Sequence, residues 1–291
     1  MCSSACDLRE PSFSACFVLC TTIAVRRAGR QAPLKTMIDT RLEDLELYQI
    51  LRQRTDRVAA VLQGLIVAVA GDASEFLQFI RNRFPHFTAH DLQHSWRIVS
   101  RIETILTAEA KADLSSVELF AFIVAAALHD VGMAHKEFSL DQVRRTHHIL
   151  SEDFLFEYMT ERLSIISEYV PRLSKCIGFA MRAHGMDWDA MVETEIFRNH
   201  ERILGQQLRT SVLAVLLRLG DLLDLDSDRT CDALQRHLPT FFDDSLSQIH
   251  HARHKHVMHF NYDSRALSIT VEAHTKEEHA IWTEWLAYKM S

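Results

Sequence analysis

The feature of the sequence that most constrains the fold is an apolar stretch that ends on two titratable side chains. In FIVAAALHDVGMAH, residues 122–135, seven apolar residues lead directly into His129 and Asp130. A helix that is apolar on every side has to be buried by other elements, so these two polar groups come to lie at the core. Their desolvation is costly unless a partner offsets it, and a metal ion is a suitable partner. The sequence therefore predicts further metal ligands elsewhere in the chain.

Hydrophobic periodicity predicts a mainly α-helical fold around this stretch. Apolar residues recur at spacings of three and four from Leu42 to Ile80, which is typical of amphipathic helices. Thr88 is the expected N-cap of a helix that runs to Leu106, and Ser116 opens a helix that stops near Gly132. Further helices are predicted over residues 140–163, 173–184, 197–223 and 227–237, and from residue 276 onward.

Only one segment alternates with a period of two. It is HVMHFNYDSRALSITVEAH, residues 256–274, with Asp263 and Ser264 as turn residues. This pattern predicts a single small β-hairpin near the C-terminus. The overlapping cluster HHARHKHVMH, residues 250–259, is expected at a loop that runs into the first strand. We interpret it as a polar surface able to meet phosphate at acidic pH, with a second metal site as the alternative.

Length and composition indicate one soluble globular domain. The 291 residues are 47% hydrophobic and 24% charged, and the 8 Gly and 5 Pro form no linker that divides the chain. We expect a single helical domain over residues 37–291, with a metal core at about 84–230 and the hairpin and last helix at 250–290. Residues 1–36 are expected to form a poorly ordered leader, with Met37 as the true start.

The leader contains four of the six cysteines, namely Cys2, Cys6, Cys16 and Cys20. Their two C-x3-C spacings leave a zinc site open as an alternative, although structural zinc sites usually have tighter spacings. Two acidic residues, Asp7 and Glu10, precede the apolar part of the segment and argue against a signal peptide.

Hydropathy and charge narrow the classes of partner. No uninterrupted apolar run reaches the roughly 18 residues that a membrane span needs, so we expect no membrane partner. A net charge of −7 argues against a chain that coats nucleic acid. Cys176 and Cys231, interpreted as buried free thiols, suit a reducing cytoplasm, which is the expected location.

Two other predicted helices carry residues that suit a metal ion. His90 and His94 lie one turn apart, on one face of the predicted helix. Asp221 interrupts the apolar helix LAVLLRLGDLLDL, and an isolated buried carboxylate has to be paired or bind a cation. We therefore expect imidazoles and carboxylates from three helices to converge on one divalent ion, with positions left open for water.

The order and spacing of these residues resemble the HD superfamily of metal-dependent phosphohydrolases. The matching residues are His94 in HDLQHSWRIV, His129 and Asp130 in ALHDVGMAH, and Asp221 in LLRLGDLLDL, over roughly residues 84–230. The resemblance implies a helical HD bundle in which these four residues hold a divalent ion: Mn, Mg, Fe, Co or Ni. It also implies hydrolysis of a nucleotide or related phosphate ester by a metal-activated water.

Two further motifs resemble the two-metal and nucleotidase branches of that superfamily. RRTHHILSEDFL resembles their H-x3-[GS] helix and selects His147, four residues before Ser151, while AMRAHGM resembles the helix that supplies His184. The resemblance implies catalytic roles for His147, His184 and Asp130. The two histidines either bind a second ion or act as general acid and phosphate donors over a single ion, and the sequence leaves both open.

Substrate and partner residues are also suggested. His90, Arg144 and Arg229 are candidates for binding the substrate phosphate, and surface pairing with Asp or Glu is the alternative for the two arginines. The wider sequence, including LRLGDLLDLDSDR, resembles a bacterial HD subgroup that is often fused to a GHKL-type ATPase. This resemblance implies a possible ATPase-domain partner. The glycine motifs of that ATPase are not in the sequence. A nucleotide-binding sensor or regulatory module without significant turnover is the alternative function.

Overall fold

The computed structural model describes residues 18–19, 40–85, 87–225, 229–230, 245–262 and 266–271. Its helices are α1 (Glu46–Gln53), α2 (Arg57–Arg83), α3 (Leu92–Ile105), α4 (Ala108–Asp113), α5 (Ser116–Leu128), α6 (Leu140–Arg162), α7 (Val170–Ala183), α8 (Trp188–Glu193), α9 (Glu195–Arg198), α10 (Thr210–Leu223) and α11 (Ser245–His256). Its strands are β1 (Val18–Leu19), β2 (His200–Ile203), β3 (Gln206–Arg209), β4 (Val257–Tyr262) and β5 (Ala266–Val271). The expected mainly helical fold is confirmed.

Helix α5 is the central element of the bundle. All of its residues are buried, and α1, α2, α3, α7 and α10 pack around it. A capping box starts the helix: the Ser115 hydroxyl accepts the backbone N–H of Glu118, and the Glu118 carboxylate accepts that of Ser115. The helix ends at Leu128, and a 3-10 turn, Val131–Ala134, continues to the expected end near Gly132.

Among the described residues, two helical segments are long and apolar enough to cross a membrane by length and composition alone. They are α2 and Ser116–Ala134, which contains α5. In Ser116–Ala134, 94% of the apolar window is buried in the bundle, whereas in α2 the buried share is 28%. The core helix of a soluble protein passes the same test, so this is weak evidence for a span, and the absence of a membrane partner stays a prediction.

The start of α3 differs from the predicted one. Asp91, and not Thr88, is the N-cap, since its carboxylate accepts the backbone N–H of His94 at 3.1 Å. His90 therefore precedes the helix instead of lying one turn before His94 on it. The two rings are still close, with centroids 5.7 Å apart.

The prediction of one helix over residues 197–223 was wrong in its first part. Strands β2 and β3 pair antiparallel there, and Leu204 and Gly205 form the two-residue turn with φ of 52° and 77°, as the twist of a tight hairpin demands. Arg209, at the end of β3, donates to both carboxylate oxygens of the buried Glu118 at 2.7 and 2.9 Å. The hairpin is thus fixed to the first turn of α5.

The C-terminal hairpin is confirmed, with β4 antiparallel to β5. The segment before it was predicted as a loop, but the structure places it in helix α11. Strand β1 pairs parallel to β5 through Val18 and Leu19; the rest of the predicted leader, most of the predicted helix 227–237 and the predicted helix from residue 276 lie outside the described residues. The domain boundaries stay predictions.

Glu103 gives the fold a pH dependence that can be measured. Its Oε1 accepts the backbone N–H of Leu47, in the first turn of α1, at 2.8 Å. Burial raises the pKa of Glu103 to about 7, although this hydrogen bond acts in the opposite direction. A raised carboxyl pKa means that the native state binds the proton more tightly than the unfolded chain does. The stability that the native state gains from this proton is therefore lost as the pH rises towards and through 7.

In the wild type we expect the free energy of unfolding to fall by roughly 1 to 3 kcal/mol between about pH 5 and about pH 8. Glu103→Gln, which keeps the acceptor oxygen, should not show this fall. Urea unfolding at both pH values measures it. Glu75→Gln, at an exposed position on α2, is the control and should keep the wild-type dependence. The same fall in Glu103→Gln as in wild type would contradict the assignment.

Candidate metal centre

Side chains from five helices or their ends converge at one end of α5. They are His94 in the first turn of α3, His129 and Asp130 directly after α5, His147 in α6, His184 directly after α7, and Asp221 in the last turn of α10. Within the described residues, two compact groups suit a metal ion: His94, His129 and Asp130, and Asp130, His147 and His184. Asp130 belongs to both groups.

Two close helix contacts bring these elements together. A Cβ added to Gly220 would lie 2.7 Å from Ile98 Cγ2, so this glycine lets α10 approach α3 with Asp221 as the next residue. A Cβ on Gly132 would lie 2.2 Å from the carbonyl oxygen of His147. The Gly132 N–H also donates to the buried Ser151 hydroxyl at 2.9 Å. The serine that selected His147 in the sequence thus fixes α6 against the turn after Asp130.

The first group has short distances between its potential ligand atoms. His94 Nε2 lies 3.3 Å from His129 Nε2, and Asp130 Oδ2 lies 3.0 Å from His129 Nε2 and 3.5 Å from His94 Nε2. Asp221 Oδ1 lies 3.3 Å from His94 Nε2, although Asp221 belongs to neither compact group. The four residues predicted for one ion therefore lie around His94.

The second group faces the other oxygen of Asp130. His147 Nε2 lies 3.0 Å from His184 Nε2 and 3.6 Å from Asp130 Oδ1. Asp130 thus presents Oδ2 to His94 and His129, and Oδ1 to His147, which lies beside His184. This arrangement is that of a carboxylate placed between two cation positions.

The hydrogen bonds of the histidines fix their tautomers. The Nδ1 atom of His129 lies 2.9 Å from the Ala126 carbonyl, that of His147 lies 3.2 and 3.1 Å from two carbonyls of its own helix, and that of His184 contacts the Met181 carbonyl. A carbonyl only accepts, so each Nδ1 carries the proton. In these three rings Nε2 is therefore the nitrogen that faces the cluster, and in a neutral ring it offers a lone pair that a cation can bind.

The electrostatics also favour a positive charge here. Burial and Arg229 lower the pKa of His94, but the neighbouring carboxylates of Asp130, Asp221 and Asp224 outweigh them and raise this pKa to about 10. Burial raises the pKa of Asp130, but His129 and His94 hold it well below the ordinary value. Oδ2 of Asp130 is buried and makes no hydrogen bond among the described residues. An anionic carboxylate with a free oxygen is a suitable metal ligand.

The residues predicted to bind phosphate have different surroundings. His90 donates Nδ1–H to the Thr88 carbonyl at 2.6 Å, and burial lowers its pKa to about 3, so its neutral ring offers no second N–H to a phosphate. Arg144 donates to the Ser247 hydroxyl at 2.7 Å and lies 4.7 Å from the Phe87 ring. Both line the cavity described below, and their roles stay predictions.

Arg229 is buried and held by its neighbours. Its Nε donates to the Ala89 carbonyl at 3.3 Å and its Nη1 to the Asp224 carbonyl at 3.2 Å, and Nε lies 3.7 Å from Asp224 Oδ2. These contacts agree better with the alternative that Arg229 pairs with an acidic residue than with an arginine kept free to bind phosphate. The acidic partner, however, is buried and not at the surface. Phosphate binding by Arg229 stays a prediction.

The sequence reasoning missed two parts of the site. Asp224 was not among the predicted site residues, yet it is fully buried against His94; its spacing of three residues from Asp221 was the available signal. Helix α11 was the second. Its residues Ser247, His250 and His254 line the cavity. No periodic apolar pattern in the sequence predicted a helix there.

A bundle with these histidines and aspartates at one end of a buried helix is an HD-type helical domain. The chain belongs to the HD-CE family, whose family model matches residues 84–290. The match extends beyond the predicted ligands through α11 and the C-terminal hairpin. No curated protein and no solved structure matches the sequence.

Removing a shared carboxylate tests the site. We expect Asp130→Ala to lose bound divalent metal from both groups, and Asp221→Ala to weaken binding at His94, because each change removes an anionic oxygen from among the imidazoles. Metal content by elemental analysis and Mn²⁺ binding by calorimetry measure this, and circular dichroism reports the helices.

Asp141→Ala is the control, since Asp141 is exposed in the first turn of α6 and contacts neither group. It should bind metal like wild type. Full metal occupancy in Asp130→Ala with the helices intact would refute the site.

Proposed function

We propose that this chain is a metal-dependent phosphohydrolase that acts on a nucleotide or a related phosphate ester. Membership of an HD family and a His/Asp cluster able to hold a metal support a hydrolase-like module. The observation that carries the proposal is the arrangement of four Nε2 atoms, in two pairs at 3.3 and 3.0 Å, around Asp130.

Divalent ions at this site would lower the pKa of a bound water towards neutrality and withdraw charge from a phosphoryl oxygen. The protein residues have simpler tasks. Asp130 would contribute a ligand to both groups, and the backbone acceptors keep three of the histidines in the tautomer that binds a cation. Asp221, whose side chain is 32% exposed, lies on the side of the site that solvent and substrate reach.

The geometry favours two ions over one. A general acid at His147 or His184 needs a second proton, on the Nε2 that faces the substrate, in addition to the one on Nδ1. Burial and the neighbouring His147 and His129 also lower the pKa of His184 to about 3, which keeps it neutral. A neutral imidazole with a free Nε2 is a metal ligand. We therefore propose that His147 and His184 bind the second ion.

A cavity of about 730 Å³ opens over the two groups, a size suited to a small molecule. Its walls carry Arg144, Arg145 and several histidines, while its acidic side chains are those around the proposed metals, namely Asp130, Asp221 and Asp224. The wall away from the metals therefore complements an anion. This charge distribution supports a phosphorylated substrate.

Phosphate release tests the function. We expect hydrolysis of at least one member of a panel of dNTPs, cyclic nucleotides, alarmones and nucleic-acid ends, in the presence of Mn²⁺, Mg²⁺, Fe²⁺, Co²⁺ or Ni²⁺. Asp130→Ala should lose it and Asp141→Ala should keep it. Nucleotide binding that depends on metal but gives no product with any of them would instead support the sensor function.

His254 offers a separate test of the anion wall. Its side chain is 5% exposed, it lines the cavity, and its Nδ1 has no hydrogen-bond partner among the described residues. Burial, with Arg229, holds its pKa well below the ordinary value, so it is a neutral ring able to donate one N–H. We expect His254→Ala to weaken binding of inorganic phosphate by the Mn²⁺-loaded protein about 3- to 10-fold, through loss of one hydrogen bond.

The matched control is His251→Ala. His251 lies on the same helix and is equally buried, at 4% exposed, but it is not among the cavity residues. Titration calorimetry with inorganic phosphate should show wild-type affinity in this variant. Equal loss in both variants would mean that His254 acts through the packing of α11.

We also propose a cytoplasmic location and leave the ATPase-domain partner as an inference from resemblance alone. The buried free Cys176 supports a reducing compartment. The extension of the family match over α11 and the hairpin supports a function for those elements within the same domain.

A further inference from the structure

Asp224 is the most completely enclosed acidic side chain near the site. It is 0% exposed, and its Oδ2 accepts Nδ1–H of His94 at 2.6 Å. Arg97 Nε lies 2.9 Å from Oδ1 and 3.2 Å from Oδ2 of the same carboxylate. Nothing in the proposed metal chemistry requires these contacts from Asp224 itself, since its oxygens face the ring nitrogen that points away from the ligand cluster.

The position of His94 in its helix explains why it needs this partner. His129, His147 and His184 each direct Nδ1 to a backbone carbonyl three or four residues earlier in the chain. His94 stands in the first turn of α3, where the carbonyl of the N-cap Asp91 already accepts the Ser95 N–H at 3.3 Å. No helical carbonyl precedes it to orient the ring, and the acceptor comes from a residue 130 positions away.

We propose that Asp224 is a positioning residue that holds Nδ1–H of His94 and thereby directs its Nε2 lone pair at the first metal. This inference rests on the proposed metal site. A carboxylate behind a ligating histidine fixes its tautomer and orientation and makes it a stronger ligand, and loss of such a partner typically lowers metal affinity 10- to 100-fold.

The two arginines complete the arrangement. Arg97 and Arg229 offer N–H groups to a carboxylate that is otherwise enclosed, which offsets the cost of burying it. Arg229 also bonds the Ala89 carbonyl before α3. The carboxylate therefore joins the start of α3 to the segment after α10, the two places that supply His94 and Asp221.

Asp224→Asn tests the role because it keeps the size of the side chain and removes its charge. We expect Mn²⁺ affinity, measured by calorimetry or electron paramagnetic resonance, to fall 10- to 100-fold. In ¹⁵N-labelled protein without added metal, the Nδ1–H signal of His94, identified by its loss in His94→Gln, should shift or broaden. Thermal melting reports whether the variant folds.

Arg97→Met separates positioning from packing. It removes the neighbouring ion pair but leaves the Asp224–His94 hydrogen bond. We therefore expect Mn²⁺ affinity within about threefold of wild type, a smaller change than the one expected when a ligating histidine loses its hydrogen-bond partner. Asp224→Asn/Arg97→Met balances the charge and should keep the affinity loss while recovering stability. If Arg97→Met alone reproduces the affinity loss, or Asp224→Asn binds Mn²⁺ like wild type, the positioning role is overturned.

The outcomes also distinguish this inference from the proposed function. A wild-type protein that binds Mn²⁺ and releases no phosphate removes the hydrolase function, whereas the affinity loss in Asp224→Asn still supports the positioning role. Active wild-type protein with unchanged affinity in Asp224→Asn removes the positioning role alone. A wild-type protein that binds no divalent metal overturns both.

Discussion

The burial of α5 is the constraint on which the rest of the structure depends. Every residue from Ser116 to Leu128 is buried, so helices have to pack on all sides of it. His129 and Asp130 follow without a break and are 1% and 4% exposed. The hydrophobic effect that buries the helix therefore also carries two titratable groups out of water. The surrounding helices provide the groups that make this burial tolerable.

Those groups form an arrangement suited to a cation. Backbone carbonyls and one carboxylate accept the Nδ1–H groups of four histidines, so the Nε2 atoms point inward. Two pairs of Nε2 atoms lie 3.3 and 3.0 Å apart, and Asp130 between them is anionic. Each feature alone has an ordinary structural explanation. Together they describe a site that suits a bound cation, as the membership of an HD family leads one to expect.

Local sequence patterns predicted some parts of the fold and failed on others for identifiable reasons. The periodicity of three and four identified α2, α3 and α6, because those helices each bury one face. It failed at residues 200–209, where Leu204 and Gly205 replace the usual Asn-Gly turn signal and where Arg209 bonds Glu118, 91 positions away. It also failed at α11, where His250 and His254 line the cavity instead of an apolar core.

The sequence by itself determined the type of fold and the first choice of ligands. An all-apolar helix that ends on His129 and Asp130, and an aspartate at position 221 within another apolar helix, predict a buried site because burying such groups without a partner is costly. Only the tertiary structure decided how they meet. Asp130 lies between two pairs of histidines, and Asp224 stands behind His94. Such contacts join residues up to 130 positions apart, and their geometry depends on helix packing at glycines such as Gly132 and Gly220, which no local pattern encodes.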